Sequence, residues 1–458
     1  MAEPSDPEQN RLARRLSRYA RVGANVGGVA AKMAGARLLG RGFGDQRNAA
    51  DLAAALGGLK GPLMKVAQLL STVPDLLPPE YAAELQKLQA SAPPMGPAFV
   101  RRRMQAELGP DWEGRFRAFD RVPAAAASLG QVHRATGPDG RVLACKLQYP
   151  NMESAVEADL AQLGVLLALQ RRISPEIDTT LIAEEISERL REELDYGREA
   201  RHIALYRAAL AEEPLVRVPE VVPALSTKRL LTMTWLEGKP LLAFLDHGLA
   251  DRNRIATALF QAWWHPFARF GIIHGDPHLG NYSVFSTSGG VAPAGLNLLD
   301  FGCIRVFGPR FVGGVVDLYH GLKDKDGERV VHAYETWGFR NLRREVIDIL
   351  NIWARFIYAP LIDDRVRTLA DGVRPEAYGR REAWQVKQGL RAKGPITIPR
   401  EFVLMDRAAI GLGAVMLHLR AELNFHRLFA ATVEGFDEAV LAKRQKAALK
   451  SAGLVQDG

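Results

Sequence analysis

Two short segments constrain this chain more than any other part of its 458 residues: His274-Gly275-Asp276-Pro277-His278-Leu279-Gly280-Asn281 and Asp300-Phe301-Gly302. An apolar run, Phe270-Gly271-Ile272-Ile273-His274, enters the first segment, which sets a carboxylate and an amide on one short polar loop. Leu296-Asn297-Leu298-Leu299 leads into the second and reads as a buried strand that ends in a carboxylate and turns at a glycine. The stretch between them has the pattern of a strand hairpin. Two carboxylates and an amide oxygen are hard donors, the kind Mg²⁺ takes while keeping several waters. If the fold brings the two segments together, these donors would suit a divalent cation; taken singly, each segment is only a polar loop.

In order and spacing the two segments resemble the catalytic and metal-binding loops of protein kinases. Asp-Phe-Gly by itself is a weak signal; both segments together, flanking a hairpin, are a strong one. The resemblance puts Asp276 where the substrate-orienting base stands, and Asn281 and Asp300 where metal ions bridging the phosphates are held. Phosphoryl transfer asks mainly for in-line positioning and for cancellation of charge on the phosphates. Upstream, Arg141-Val142-Leu143-Ala144-Cys145-Lys146-Leu147-Gln148 has strand character and stands where kinases carry Val-Ala-Ile-Lys. A lysine in a strand is by itself usually a surface residue. Read with the downstream loops, Lys146 pairs with the α- and β-phosphates and needs a carboxylate on a following helix. The helix expected over 180–201 offers Glu184, Glu185, Glu188, Glu192, Glu193, Asp195 and Glu199, most of which fit a solvated acidic face. Where kinases have a Gly-rich loop, this chain reads Pro123-Ala124-Ala125-Ala126-Ala127-Ser128-Leu129-Gly130-Gln131-Val132-His133. Four alanines taken alone form a helical turn. Next to a nucleotide, Ala125, Ala126, Ala127 and Ser128 would form a stiff loop that restrains closure, because alanine does not readily reach the positive φ that glycine allows.

Three further segments carry a more specific resemblance. These are Ala125–His133, Glu193-Leu194-Asp195-Tyr196-Gly197-Arg198-Glu199-Ala200 with its Glu-x-Asp motif, and Lys65-Val66-Ala67-Gln68. From about Leu52 to near Arg407 the chain resembles the UbiB/aarF-domain family, the ubiquinone-biosynthesis atypical kinase-like proteins. The resemblance implies an α+β, bilobal protein-kinase-like fold with a family-specific N-terminal helical extension and a mainly helical C-lobe. It matches Lys146 to the nucleotide-binding lysine and Glu199 to its ion-pair partner. It assigns Asp276 to the catalytic loop, and Asn281 and Asp300 to the metal. Backbone groups near Met233, Trp235 and Leu236 are expected to meet the adenine edge. Lys65 and Gln68 match the family's own helical motif, which covers the place where a protein substrate would dock. Glu193 and Asp195 match the acidic motif that engages it. Two departures stand out. Ala67 replaces the family's glycine and favours the helix by roughly 1 kcal/mol. The loop reads His-Gly-Asp-Pro-His-Leu-Gly-Asn rather than His-Ala-Asp-Pro-His-Pro-Gly-Asn, with every polar side chain kept. His274 and His278 flank Asp276, but no third and fourth ligand at zinc spacing is evident; His274 is expected to brace the loop, as the family's histidine does.

The expected organisation is a basic amphipathic segment over 1–48, a helical extension over 49–115 and an N-lobe over 116–238. A C-lobe follows over 239–441, with a basic, mobile tail over 442–458. A helix is expected over Pro97–Leu108, long helices over Met152–Ile173 and Leu181–Leu210, and a strand over Arg229–Gly238. Val346–Ile357 and Met405–Leu419 read as core helices. Trp263, Trp264, Trp353 and Phe356 read as packing. A hydrophobic fraction of 47% and a charged fraction of 24% are ordinary for a globular protein. The formal net charge of +8 is weak evidence for an anionic partner. The two cysteines, Cys145 and Cys303, lie in apolar runs and read as small buried hydrophobes, which argues against a disulfide framework. No signal peptide and no membrane-spanning run is visible. The basic run Arg11–Arg21, followed by the small and apolar stretch Val26–Leu39, suits either a helix lying on anionic lipid or one packed on the protein's own surface. No aromatic-basic platform for nucleic acid appears.

The expected function is that of an atypical kinase-like ATPase that binds ATP or ADP with Mg²⁺ and supports ubiquinone or other prenyl-lipid biosynthesis. Its acceptor would be water or a small lipid molecule. The expected location is cytoplasmic, with peripheral contact to the inner membrane face. Expected partners are the nucleotide, an anionic membrane surface, and quinone-biosynthesis proteins or prenyl-lipid intermediates, without nucleic acid. A nucleotide-gated scaffold (a pseudokinase) of a lipid-biosynthesis complex and a true protein kinase are the alternatives.

Overall fold

The structure is a computed structural model that describes residues 95–127, 129–161, 187–287, 290, 292–340, 342–370, 372–375, 378–393 and 399–455. Lys65, Gln68, Ser128, the 1–48 segment and most of the 49–115 extension lie outside the described residues. The chain divides into two compact units. One holds the residues up to Glu199 together with Val221–Trp235, and the other holds Ala200–Glu220 and everything from Leu236 onward.

The first unit is built on an antiparallel sheet. Helix α1 (Pro97–Leu108) precedes it, in the expected place, with proline in the first turn, where a missing N–H costs nothing. The strands are β1 (Ala118–Phe119), β2 (Ala125–Ala126), β3 (Gly130–Thr136), β4 (Val142–Gln148) and β6 (Leu230–Thr234), ordered β1-β3-β4-β6 with β2 also on β3. β4 is central, and all of it after Val142 is buried. Alternation along it sends Leu143, Cys145 and Leu147 into a core with Val100, Met104 and Trp112, and sends Lys146 to the opposite face. Gly130 is required by a close approach. A Cβ there would meet the carbonyl oxygen of Leu147 and the Tyr196 hydroxyl.

The helix read over 181–210 is interrupted. Residues 187–192 are helical, Glu193 and Leu194 turn, and helix α2 (Tyr196–Ala209) begins afresh. The cause is local. The Tyr196 amide leaves the helical pattern to donate to the Lys228 carbonyl at 3.2 Å, and the Asp195 carboxylate accepts the Arg198 amide at 3.0 Å. Asp195 is therefore a helix N-cap.

The second unit carries a mixed sheet ordered β5-β10-β9-β7, with β5 (Val216–Arg217), β7 (Lys239–Pro240), β9 (Tyr282–Ser286) and β10 (Pro293–Leu298). The expected hairpin is β9–β10, paired antiparallel. Helix α3 (Leu249–Phe270) stops at Gly271, whose φ of 66° is left-handed, and strand β8 (Ile272–His274) follows at once. β8 pairs antiparallel with β11 (Ile304–Val306), His274 opposite Ile304, so the two polar loops leave from one small ribbon. After these come α4 (Pro309–Asp324), α5 (Gly327–Thr336), α6 (Arg344–Ile362), α7 (Arg380–Lys393), α8 (Arg400–Leu419), α9 (Phe425–Val433) and α10 (Glu438–Ser451). The stretch read as a mobile tail opens within helix α10, which runs through 442 to Ser451. It is fixed by Gln445, whose amide donates to the carbonyls of Phe270 and Phe307, both at 2.8 Å. Trp263, Trp264 and Trp353 are buried, as read. No described helix is long and apolar enough to cross a membrane.

Helix α8 carries one carboxylate among the largely apolar residues that line a cavity in the second unit. Asp406 on α8 lines a cavity with Phe311, Trp337, Trp353 and Tyr358, and burial pushes its carboxyl up to about 7, with the Trp353 indole opposing the rise. From its ordinary value of 3.8 up to about 7 the folded chain holds more protons than the unfolded one. Stability therefore falls as pH rises through that window. Asp406→Asn keeps the shape without the charge. Its melting temperature relative to the parent is expected to rise by several degrees between pH 5 and pH 8 in thermal unfolding. A difference that does not vary with pH would show that Asp406 is not the titrating group.

Candidate functional site

In the first unit Lys146 and Glu199 meet. The Lys146 Nζ donates to both carboxylate oxygens of Glu199, at 2.8 and 2.9 Å, and also lies over the Tyr196 ring at 5.3 Å. The two side chains are only 9% and 4% exposed. Two opposite charges taken this far from water must be well paired to persist. Register fixes the lysine, since Lys146 sits opposite Val132 on one side and Leu231 on the other. The Asp195 cap fixes the glutamate, which lies in the first turn of α2.

The alanine segment is a strand rather than a helical turn. Ala125 pairs with Val132 and Ala126 with Gln131, and the Ala127 amide donates to the Gly130 carbonyl at 2.9 Å, closing a tight hairpin. Ala125 and Ala126 are exposed. The residues that follow are structural. Gln131, fully buried, accepts the Met95 amide at 2.6 Å, and its amide nitrogen lies 2.8 Å from His133 Nε2. His133 Nδ1 donates to the Asp120 carbonyl at 2.7 Å, so Nε2 is the acceptor. Burial lowers the His133 pKa.

At the end of β6, where backbone is expected to meet the adenine edge, part of that backbone is engaged in the sheet. The Trp235 amide donates to the Val142 carbonyl at 2.9 Å, and by antiparallel alternation the backbone groups of Met233, opposite Ala144, also turn toward β4. Of the three residues read as presenting backbone there, Leu236 is the one outside this ladder.

In the second unit Asp276, Asn281 and Asp300 are joined by one hydrogen-bond network. Asn281 Nδ2 donates to the Asp276 carbonyl at 2.8 Å, and the Leu299 amide donates to the Asn281 carbonyl at 3.0 Å. Since a carbonyl only accepts, the Asn281 amide is oriented with its nitrogen toward Asp276, and Oδ1 is the atom that can ligate a cation. The Asp300 carboxylate accepts the Gly302 amide at 3.0 Å. All three site residues are half-buried. Tyr282 beside them is buried and its phenol is pushed well up, first by burial and then by the Asp276 charge. Two carboxylates and an amide oxygen suit Mg²⁺, with phosphate and water oxygens completing its shell.

His274 braces both loops as expected. Its Nε2 donates to the Asp300 carbonyl at 2.7 Å, and its Nδ1 accepts the Asp276 amide at 3.3 Å, which selects one neutral tautomer. Its own carbonyl accepts the Trp263 indole N–H. The Gly275 amide donates to the Cys303 carbonyl at 2.7 Å. Neither cysteine forms a disulfide and both are buried; burial pushes the Cys145 thiol up to about 12, so it is an inert packing group.

Two residues of this network were missed in the sequence. His202, buried on α2, donates from Nδ1 to the Phe301 carbonyl at 3.0 Å. Tyr206, one turn on, sets its ring edge against Phe301 at 5.7 Å and against His274 at 6.4 Å. Both lie on α2, which carries Glu199 in its first turn, and no local sequence motif marks either of them.

A family profile described as the ABC1 atypical kinase-like domain matches residues 87–334. The chain belongs to the ABC1 atypical kinase-like family. Atypical kinase COQ8B, mitochondrial, of Rattus norvegicus is 30% identical over 322 residues, covering 67% of this chain and 59% of that protein. Atypical kinase COQ8, mitochondrial, of Saccharomyces cerevisiae is 32% identical over 280 residues, covering 60% and 54%. The solved complex of Rv3197 with erythromycin, from Mycobacterium tuberculosis, is similar with a TM-score of 0.59 and 27% identity, over 88% of this chain and 99% of that one. The chain spans little more than half the length of these two curated relatives. The aarF-type resemblance and the kinase-like α+β fold, with a sheet in its N-terminal unit and a mainly helical C-terminal part, are thereby shown.

In this ABC1 chain the Glu-x-Asp motif has a structural consequence that can be measured. Asp195→Ala is expected to lower stability by about 1 kcal/mol in urea unfolding, whereas Asp195→Asn, an equally good cap, changes it little. Equal losses in the two variants would show that charge at 195, rather than capping, carries the motif.

Proposed function

We propose that the chain binds ATP or ADP with Mg²⁺ and turns the nucleotide over as an atypical kinase-like ATPase in ubiquinone or other prenyl-lipid biosynthesis. The observation that carries this reading is the buried Lys146–Glu199 pair, a costly arrangement that a phosphate-binding lysine needs and a packing residue does not. The donor chemistry of Asp276, Asn281 and Asp300 supports it from the other unit.

In this reading Lys146 neutralises charge on the α- and β-phosphates while Glu199 holds its ammonium in place. Asn281, through Oδ1, and Asp300 hold the magnesium, which when bound cancels charge on the phosphate oxygens. Asp276 orients the attacking hydroxyl or water and accepts its proton. Ala125, Ala126, Ala127 and Ser128 form the loop over the nucleotide, stiffer than a glycine loop, and Leu236 offers backbone to the base. The acceptor is water or a small lipid molecule, and the family resemblance assigns Lys65 and Gln68 to a motif that would disfavour a protein substrate. Contact with an anionic membrane surface at the inner face and with quinone-biosynthesis proteins belongs to the same proposal.

Two measurements test it. Phosphate release by the full chain, with anionic liposomes and a phenolic quinone-precursor mimic, is expected to fall at least about 100-fold in Asp276→Asn, the lower end of what a general base supplies. Equal rates in parent and variant would favour a nucleotide-gated scaffold. Mg-nucleotide at ~100 times its dissociation constant is expected to stabilise the fold by about 2.7 kcal/mol. Asp300→Asn should remove most of the magnesium-dependent part of that shift. A shift indifferent to magnesium would contradict the metal assignment.

A further inference from the structure

The Asp300 loop is held from two directions, and only one of them involves the loop histidine. His274 Nε2 takes the Asp300 carbonyl from the β8 side. The very next carbonyl, that of Phe301, is taken at 3.0 Å by His202 from helix α2. Both imidazoles are almost fully buried, at 2% and 3% exposure, so neither hydrogen bond can be replaced by bulk water without opening the core. The Phe301 ring is fully buried, with the Tyr206 ring edge against it one turn further along α2. Tyr206 contributes through its ring alone among the described residues, since its buried hydroxyl has no hydrogen-bond partner there. Two successive backbone carbonyls, each held by a different histidine, leave the peptide between Asp300 and Phe301 no freedom to flip. That peptide sets the direction of the Asp300 side chain, whose Oδ1 is already tied to the Gly302 amide.

We infer that His202 is a positioning residue that fixes the Asp300 loop in its metal-holding conformation, so that helix α2 governs magnesium affinity through one hydrogen bond to the Phe301 carbonyl. The inference deepens the proposed function and rests on the reading of Asp300 as a metal-holding carboxylate. His202 touches neither nucleotide nor metal. Its effect is to select one loop geometry, and a displacement of α2 would release that geometry and weaken the cation without removing any ligand.

The experiment uses the full chain with His202→Leu and His202→Asn. Leucine keeps the bulk and removes the donor, while asparagine returns an N–H close to the place of Nδ1. Two readouts are taken: the MgCl₂ concentration that half-saturates ADP-induced thermal stabilisation, and hydrogen exchange of the Gly302 amide without nucleotide. His202→Leu is expected to raise the magnesium half-saturation roughly fivefold, the factor that one lost hydrogen bond of ordinary strength represents. ADP affinity without magnesium should stay unchanged, and Gly302 should exchange faster. His202→Asn should restore both readouts to within about twofold of the parent. A merely structural histidine would lower the melting temperature of both variants and leave the magnesium half-saturation where it was, which would overturn the inference. So would loop exchange that is unchanged in His202→Leu. If the parent itself gives no magnesium response, the reading of Asp300 falls and magnesium control falls with it. The exchange comparison, which needs no ligand, then shows separately whether His202 sets the loop.

Discussion

The ion pair between Lys146 and Glu199 is the constraint around which the first unit is arranged. An ammonium and a carboxylate share two short hydrogen bonds where water barely reaches. Removing one partner from such a pair costs roughly 3–5 kcal/mol, because the other charge is left buried alone. The surrounding sequence answers to that demand. β4 is central, so its lysine is fixed by pairing on both sides. Gly130 permits the close crossing beside Leu147 and Tyr196. Asp195 starts the helix that delivers Glu199 in its first turn. A pair this expensive to maintain is unlike the median surface salt bridge, which contributes little.

The second unit meets a different demand with backbone chemistry. Its three oxygen-donor residues lie on two loops that leave one two-stranded ribbon, and the loops are tied together by carbonyls. His274 can serve both loops because a neutral imidazole donates at one nitrogen and accepts at the other. Asn281 spends its nitrogen on Asp276, which leaves an oxygen of fixed direction. Oxygen donors that are oriented before a cation arrives lose less freedom on binding it.

Much of this was legible in the sequence because the motifs are short and their chemistry is local. Asp276, Asn281 and Asp300 were read from two short polar loops and their kinase resemblance, the β9–β10 hairpin from the strand-like stretch between those loops, and Lys146 from a strand that needed a partner. Where the reading failed, the deciding partner was distant. The helix expected over 181–210 breaks at Glu193–Asp195 because the Tyr196 amide goes to Lys228, which no periodicity within the segment reveals. Met233 and Trp235 point their backbone at β4 because of a register that only the pairing with Val142 and Ala144 sets. The C-terminal stretch is ordered by Gln445, one glutamine reaching two carbonyls more than a hundred residues away. His202 gave no motif at all, since a single histidine in a helix reads as nothing until the loop beneath it is known.

The central claim is that Asn281 and Asp300 hold the cation of a nucleotide whose phosphates Lys146 neutralises. Its most direct test is a crystal of the full chain grown with a non-hydrolysable ATP analogue and Mn²⁺ in place of Mg²⁺, with the metal located by anomalous scattering. The account predicts a manganese peak roughly 2.0–2.3 Å from Asn281 Oδ1 and from an Asp300 carboxylate oxygen, the range of a small hard cation on oxygen. It also predicts the Lys146 ammonium on the α- or β-phosphate. A nucleotide bound with its metal on other residues, or with Lys146 turned away from the phosphates, would contradict it.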